Sequence, residues 1–164
     1  MADLLVKLYD LPSSAQPVEK LREGGVDIRR AIGPEKHAVM DWVEKKFSRA
    51  WASECDVAFS AQPVTCFIAV KEKQVVGFAC YDSTLKGFFG PIGVDESAHK
   101  KGLGKALLIR TLEAMRDAGY GYAAIGWAGP VEFFRKTVGA TVIEGSEPGV
   151  YRNLVKAGPR EQAR

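Results

Sequence analysis

The alternation of apolar and polar residues along the chain predicts a mixed succession of strands and helices. Three short elements come first: a strand over Leu4 to Leu11, a helix over Pro17 to Glu23, and a strand over Val26 to Ala31. An amphipathic helix is expected from Pro34 onward, because proline is favoured in the first helical turn. The segment from Trp51 to Phe59 fits either a second helix or an ordered loop.

After Pro63 the pattern changes to the two-residue period of β-strands. Three β-rich runs, TCFIAV, QVVGFACY and KGFFGPIGV, are joined by the short polar turns KEK and DST and predict an antiparallel meander. A helix with apolar residues on one stripe follows and extends to about Ala118. The run from Tyr122 to Trp127 is almost uniformly apolar, as expected of a buried central strand. A short helix, VEFFRKTV, and two strands, ATVIEG and GVYRNLV, complete the succession.

Composition limits the kind of protein that these elements can build. With 164 residues, 46% of them hydrophobic and 26% charged, the chain is expected to form one α/β domain with a substantial core. The net charge of +3 is small and the acids and bases are interleaved, which argues against a nucleic-acid partner. No apolar run is long enough to span a bilayer, and the N-terminus is too short and too acidic for a secretory signal. We therefore expect a cytoplasmic protein with no membrane partner.

The cysteines and histidines do not indicate a disulfide framework or a metal site. Cys55, Cys66 and Cys80 are odd in number and lack Cys-x-x-Cys spacing, and the chain contains only two histidines. We expect the cysteines to be reduced and mostly buried, and we expect no bound metal.

The segment IGVDESAHKKGLGK, from Ile92 to Lys105, carries the most specific chemical signal. A strand there leads through a turn into a helix, whose first N–H groups lack intrahelical partners and carry partial positive charge. Phosphate groups bind readily at such helix ends. The turn also contains three cations and two residues without a Cβ, namely Lys100, Lys101, Lys105, Gly102 and Gly104.

Taken alone, a Gly-x-Gly at a helix start is more often a tight turn than a phosphate site, and its lysines could form a solvated face. It is not a P-loop, because no Gly-x-x-x-x-Gly-Lys-Ser/Thr is present, and its glycines do not have the spacing of the dinucleotide-binding fingerprint. A phosphate-binding protein of another fold would require GPIGV and YAAIGW not to be neighbouring parallel strands. The wider context must decide.

The element order and two motifs together resemble the GNAT superfamily of N-acetyltransferases. The coenzyme-A motif of that family is Val-x-x-x-x-Gln/Arg-x-x-Gly-x-Gly/Ala, and this chain matches its spacing at Val94, His99, Gly102 and Gly104. The stretch PVEFFRKTVGA resembles the second signature, Phe-Tyr-x-x-x-Gly-Phe, with four residues instead of three before Gly139. The resemblance covers about Val26 to Val155.

That resemblance implies the GNAT fold, an α/β fold in which helices flank a mixed, mostly antiparallel sheet with one splayed parallel strand pair. Residues 26–157 would form the acetyltransferase domain. Residues 1–25 would be a strand–helix extension packed on that domain, and residues 158–164 a polar tail.

The resemblance also implies acetyl-CoA as the cosubstrate. The pyrophosphate would lie on backbone N–H groups of the turn from His99 to Lys105. The pantetheine arm would pair with the backbone of Ile92 to Val94, where the parallel strands separate, and the bulged backbone near Val94 would donate an N–H to the oxyanion. The expected cofactor residues are Ile92, Gly93, Val94, His99, Lys100, Lys101, Gly102, Leu103, Gly104, Lys105, Trp127 and Phe134.

The attacking amine must lose a proton, and the sequence alone does not place the base that accepts it. Residues near the expected mouth are Glu54, Tyr81, Asp82, Glu144 and Tyr151. We take Glu54, Asp82 and Tyr151 as catalytic candidates together with the backbone N–H of Val94. A solvated surface or turn role is the alternative for each side chain.

Three positions depart from the family pattern. Phe134 stands where many members have a tyrosine that is thought to protonate the departing thiolate, and phenylalanine has no proton to give. A thiol of pKa about 8.5 leaves tolerably without that help, and Tyr151 or a water could substitute. His99 replaces glutamine or arginine. Trp127 replaces an asparagine, and it would stack along the pantetheine, close one wall of the acceptor pocket, or fill core space.

Two functions are compatible with these residues. The first is an acetyl-CoA-dependent N-acetyltransferase, in which a primary amine attacks directly in a ternary complex. The second is a coenzyme-A-binding module, a sensor or structural partner, that lacks useful catalysis, as Phe134 would permit. The acceptor could be a small-molecule or a protein amine, and the family often forms homodimers, but no residue decides either point.

Overall fold

The computed structural model describes residues 1–99, 101–156 and 158, which form seven β-strands and five α-helices. The strands are β1 (Leu4–Lys7), β2 (Val26–Arg30), β3 (Cys66–Lys71), β4 (Gln74–Tyr81), β5 (Phe88–Val94), β6 (Tyr122–Ile125) and β7 (Thr141–Val142). The helices are α1 (Ala15–Glu23), α2 (Lys36–Lys46), α3 (Arg49–Phe59), α4 (Leu103–Asp117) and α5 (Val131–Val138). No helix in these described ranges has the length and apolar character needed to cross a membrane.

The strands join one mixed sheet in the order β2-β3-β4-β5-β6-β1-β7. Every pairing is antiparallel except that of β5 with β6, which run parallel. The predicted meander and the single parallel pair are both confirmed. The paired residues of β5 and β6 are only Phe88 with Ala124 and Phe89 with Ile125, so β5 parts from β6 after its second residue.

An irregularity in β5 coincides with this parting. The register of β5 against β4 shifts after Phe89, so that Gly90 and Pro91 lie opposite one residue of β4. Such a bulge bends a strand and interrupts its ladder, as the glycines and proline of this segment predict. A cleft beside the last residues of β5 is the consequence.

Two hydrophobic cores cover opposite faces of the sheet. Neighbouring residues of β3 divide between them: Phe67 belongs to the core that includes α4, and Ile68 to the core that includes α2 and α3. This follows from the two-residue period of a strand. The segment that fits either helix or loop is the helix α3, whose N-cap Ser48 accepts the Trp51 N–H at 3.1 Å. Cys55 of α3 lies in the second of these cores, and all three cysteines are buried and free, as expected.

The predicted last strand is wrong. The segment GVYRNLV begins with a short 3-10 helix over Gly149–Tyr151 and contains no strand. The N-terminal strand β1 lies between β6 and β7 and pairs with both, so no position beside β6 remains for a C-terminal strand. The ring of Tyr151 instead packs against Gly126 and Trp127, just after β6.

Candidate functional site

The turn that enters α4 leads into the first backbone N–H groups of that helix. Gly102 precedes the helix with φ +80°, the left-handed conformation that favours glycine. Apart from its chain neighbours, no described residue has an atom within 4 Å of where a Cβ on Gly102 would be. The Ala106 N–H donates to the Gly102 carbonyl at 3.0 Å, the first bond of the helical ladder. The N–H groups of residues 103–105 come before it, and the helix dipole favours an anion there.

A cavity of about 490 Å³ opens at this turn, and we call it the α4 cavity. Its volume lies within the range of small-ligand sites. The carboxyl end of β5 forms one side, the start of α4 another, and α5 with the preceding proline a third. The lining residues are Ile92, Gly93, Val94, Ala98, His99, Gly102, Leu103, Gly104, Lys105, Pro130, Phe133 and Phe134.

Most residues predicted to contact the cofactor line this one cavity. The exceptions are Lys101, which lines a neighbouring cleft, Trp127, which lies elsewhere, and Lys100, which falls outside the described residues. His99 Nε2 lies 3.1 Å from the Val94 carbonyl oxygen and donates to it, because a carbonyl can only accept. The imidazole therefore holds the turn against the end of β5.

The neighbouring cleft, of about 740 Å³, gathers positive charge beside the α4 turn. Lys101 and Lys105 line it from the turn, and Lys20 lines it from α1. The sequence alone did not indicate Lys20, because only the fold brings α1 next to α4. Three ammonium groups and the start of α4 thus surround a space in which phosphate oxygens would be favourably placed.

Two phenylalanines form the apolar side of the α4 cavity. Phe134 is 2% exposed and lies edge-on to Phe89, with ring centroids 6.4 Å apart. Phe133 packs edge-on against Phe134, and its Cζ would lie 3.6 Å from a Cβ on Gly104. Phe134 therefore contributes packing, and it has no group that could donate a proton.

A second cavity, of about 700 Å³, lies beside the first two turns of α3, and we call it the α3 cavity. Apolar side chains supply most of its wall. Among the lining residues that the structure describes, only Glu54 is acidic and only Arg49 is basic. The lining residues are Arg49, Ala50, Trp51, Ser53, Glu54, Thr84, Trp127, Tyr151, Leu154, Val155 and Gly158.

Glu54 is the carboxylate of this cavity. Its Oε1 accepts a hydrogen bond from the Thr84 hydroxyl. Burial raises the pKa of Glu54, the Thr84 bond opposes that rise, and the nearby Cys55 adds to it. Burial also raises the pKa of Tyr151, and the negative charge of Glu54 raises it further. Nothing in the sequence around Thr84 signals this role, since it lies in the connection between β4 and β5.

Trp127 forms one wall of the α3 cavity, not of the α4 cavity. Its φ of +46° is a strained conformation for a bulky residue, and its backbone N–H donates to Asp3 Oδ1 at 3.0 Å. Its ring stacks on Tyr151, with centroids 4.3 Å apart and an interplanar angle of 27°. Gly126 permits this arrangement, because a Cβ there would lie 2.2 Å from the Tyr151 hydroxyl oxygen.

The other residues considered as bases lie outside both cavities. Asp82 accepts from the Gly87 N–H at 2.7 Å and from the Tyr120 hydroxyl at 2.8 Å, so both of its oxygens brace the connection between β4 and β5. Tyr81 is buried, and its hydroxyl accepts from Arg30 at 3.2 Å. Glu144 is exposed in the turn after β7.

The comparisons with known proteins agree with this geometry. The model of the acetyltransferase (GNAT) family matches residues 36–139. A comparison with curated proteins gives no match.

Several solved structures share the fold. A glucosamine N-acetyltransferase region of a fungal multi-domain β-N-acetylglucosaminidase has a TM-score of 0.70 and 12% identity, over 87% of this chain and 19% of that chain. An N-acetyltransferase from Sphaerobacter thermophilus has a TM-score of 0.67 and 19% identity, over 87% of this chain and 48% of that one. This chain therefore spans about a fifth of the length of the fungal protein and about half of that of the Sphaerobacter protein. A GNAT acetyltransferase from Brucella melitensis, in complex with acetyl-CoA, has a TM-score of 0.55 and 19% identity, over 68% of this chain and 80% of that chain.

Proposed function

Because this chain belongs to the GNAT family of acetyltransferases, we propose that it transfers an acetyl group from acetyl-CoA to a primary amine. The observation that carries this proposal is the α4 cavity, in which the first N–H groups of α4, which have no partner within the helix, adjoin an apolar cleft beside an interrupted strand. Acetyl-CoA contains an anionic diphosphate and, attached to it, an extended arm with amide groups. Its chemistry fits both parts of the cavity.

The residues of the cavity divide between these two parts of the cosubstrate. The pyrophosphate would accept hydrogen bonds from the N–H groups of residues 103–105, with Lys20, Lys101 and Lys105 supplying opposite charge. The pantetheine arm would lie along Ile92 to Val94, where β5 has parted from β6. Phe133 and Phe134 would exclude water from the other side.

In the transfer step, the neutral amine attacks the acetyl carbonyl carbon, the C–N bond forms, and the C–S bond breaks to release the thiolate of coenzyme A. We assign the Val94 N–H as the donor to the oxyanion. The proton lost by the amine goes to Glu54. Glu54 is favoured over Asp82, because the two oxygens of Asp82 already accept from Gly87 and Tyr120, whereas Glu54 faces an open cavity.

Tyr151 takes a secondary role in this proposal. Its raised pKa keeps the phenol protonated at neutral pH, so it can donate a proton to the departing thiolate in place of the tyrosine that Phe134 replaces. A thiolate leaves tolerably unaided, so this contribution would be smaller than that of the base.

The alternative is a coenzyme-A-binding module without useful catalysis. The burial of Phe134 against Phe89 favours it, because the position of the usual acid holds only a hydrocarbon ring. Both functions require the same cosubstrate cavity, and they differ only in whether an amine reacts.

The test combines calorimetry with acetyl-CoA and thiol release across a panel of primary amines. We expect the wild-type protein to bind acetyl-CoA saturably and to release thiol with at least one amine. The Glu54→Gln variant should still bind acetyl-CoA but release thiol much more slowly. Binding without release on any amine would favour the module. Absence of binding would overturn both functions.

A further inference from the structure

We propose that the acceptor, given the transfer reaction proposed above, is an arylalkyl monoamine bound in the α3 cavity with its amine at Glu54 and its ring against Trp51 and Trp127. The cavity combines one carboxylate with aromatic and aliphatic walls. That combination suits a ligand with one cationic or nucleophilic nitrogen on a flat apolar body.

The shape of the ligand follows from the aromatic walls. Trp51, Trp127 and Tyr151 line the cavity from three separate parts of the chain, and Leu154 adds an aliphatic surface. Trp127 is 39% exposed although one of its faces stacks on Tyr151, so part of the indole is available to a ligand. Aromatic rings gain from stacked or edge-on contacts beyond the burial of their area. A planar ring is therefore the group that this wall favours most.

The wall is also held in place before any ligand arrives. Asp3 is 6% exposed and fixes the Trp127 backbone N–H, while the absence of a side chain at Gly126 admits Tyr151 beneath the indole. A ligand that stacks on Trp127 would not have to order that side chain. Preorganisation of this kind improves affinity by reducing the entropy lost on binding.

The charges of the cavity limit the number of amines. Glu54 is the only acidic side chain among the described residues that line it, and Arg49 lies at the start of α3 on the same cavity. A polyamine or an aminoglycoside carries several ammonium groups and would need several carboxylates. Here one ammonium would pair with Glu54, and further ones would meet the Arg49 guanidinium.

The experiment measures amine binding by calorimetry on the full chain saturated with coenzyme A. The probes are 2-phenylethylamine and tryptamine, n-butylamine as the amine without a ring, spermidine as the polyamine, and a lysine-containing peptide as the protein amine. We expect both arylalkylamines to bind at least about tenfold more tightly than n-butylamine or spermidine. Equal affinities, or a preference for spermidine or the peptide, would overturn the proposal.

Variants locate the preference. Trp127→Ala should reduce the advantage of 2-phenylethylamine over n-butylamine by about tenfold and leave n-butylamine unchanged. Tyr9→Ala is the matched control, because Tyr9 is an exposed aromatic residue that lies outside the α3 cavity. If Trp127→Ala lowers the melting temperature, Trp51→Leu tests the other tryptophan that lines the cavity. An unchanged ratio in a folded variant of either tryptophan would contradict the assignment.

Thiol release with the same amines separates the two proposals. Release with n-butylamine as efficient as with 2-phenylethylamine would support the transfer reaction and overturn the acceptor class. Selective binding of arylalkylamines without any release would overturn the transfer reaction and leave a cavity selective for these amines.

Discussion

The ring of Phe47 lies so close to the backbone of Gly93 that a Cβ on that glycine would come within 2.5 Å of Phe47 Cζ. Phe47 follows α2 directly, and its ring also contacts Trp51, with centroids 5.2 Å apart. Gly93 lines the α4 cavity and Trp51 lines the α3 cavity. Phe47 therefore contacts one lining residue of each of the two cavities that would hold the cosubstrate and the acceptor.

Gly93→Ala should disturb this connection. Either the Phe47 ring or β5 must move, and overpacking of this kind costs about 1–3 kcal/mol. We expect lower stability in denaturant unfolding and weaker binding of acetyl-CoA in calorimetry. Gly33→Ala is the matched control, since nothing lies within 4 Å of a Cβ at Gly33, and it should change neither quantity appreciably.

A double-mutant cycle identifies Phe47 as the cause. In a Phe47→Ala background, Gly93→Ala should cost much less, because the ring that it would strike is gone. Equal costs in the two backgrounds would mean that the close approach of these residues does not determine the effect.

Gly102→Ala tests the start of α4. At φ +80° a Cβ costs about 1–2 kcal/mol, and here it would also project into the space where the pyrophosphate is proposed to lie. Gly87→Ala carries the same strain at φ +80°, but outside the α4 cavity. We expect both variants to lose similar stability and only Gly102→Ala to lose affinity for acetyl-CoA. Similar affinities in the two variants would count against the anion site.

Local sequence patterns were sufficient for much of the fold and for the helix start at which we propose that an anion binds. The two-residue period after Pro63 predicted the meander, and the glycines of the turn predicted where α4 begins, because both depend on residues close together in the chain. The segment from Gly90 to Val94 likewise carried its own signal for an interrupted strand.

The α3 cavity could not be predicted in the same way. Its residues come from α3, from the connection between β4 and β5, and from the segments after β6 and β7. Only the fold brings Thr84 to Glu54, or Asp3 to Trp127. The placement of β1 inside the sheet was equally nonlocal, and it is what excluded a strand at Gly149 to Val155.

Glu54→Gln should remove the proposed base with little structural change. The glutamine oxygen can still accept from Thr84 but cannot take a proton, so the rate of thiol release should fall by about 10²–10⁴ at pH 8. Burial raises the pKa of Glu54 above that of an ordinary glutamate. The ratio of the wild-type rate to the Glu54→Gln rate should therefore fall as the pH falls through that raised pKa. Protonation of the free amine affects both rates equally, so it does not change their ratio.

The groups that face Glu54 are Thr84, Cys55 and Tyr151, with Arg49 on the same cavity. A pKa raised by folding means that the ionised form opposes folding, so Glu54→Gln should be as stable as the wild type or more stable at pH 7, and this gain should vanish at acidic pH. Thermal unfolding at both pH values measures it. If the ratio of the wild-type to the Glu54→Gln rate of thiol release did not change with pH, Glu54 could not be the base.

Asp95→Asn should give the opposite dependence of stability on pH. Lys46, the last residue of α2, lies 2.9 Å from Asp95 Oδ2, and Ser97 donates to Oδ1 from its N–H and its hydroxyl. These contacts, the Lys46 bond foremost, lower the pKa of Asp95 to about 2. Their stabilisation is therefore present above the ordinary aspartate pKa and is lost as the pH falls toward 2. The variant should melt below the wild type at pH 7, and the difference should be much smaller at pH 2. Asp41→Asn, an exposed control on α2, should melt with the wild type at both pH values. A difference in melting temperature as large at pH 2 as at pH 7 would show that the charge of Asp95 is not what holds α2 to the end of β5.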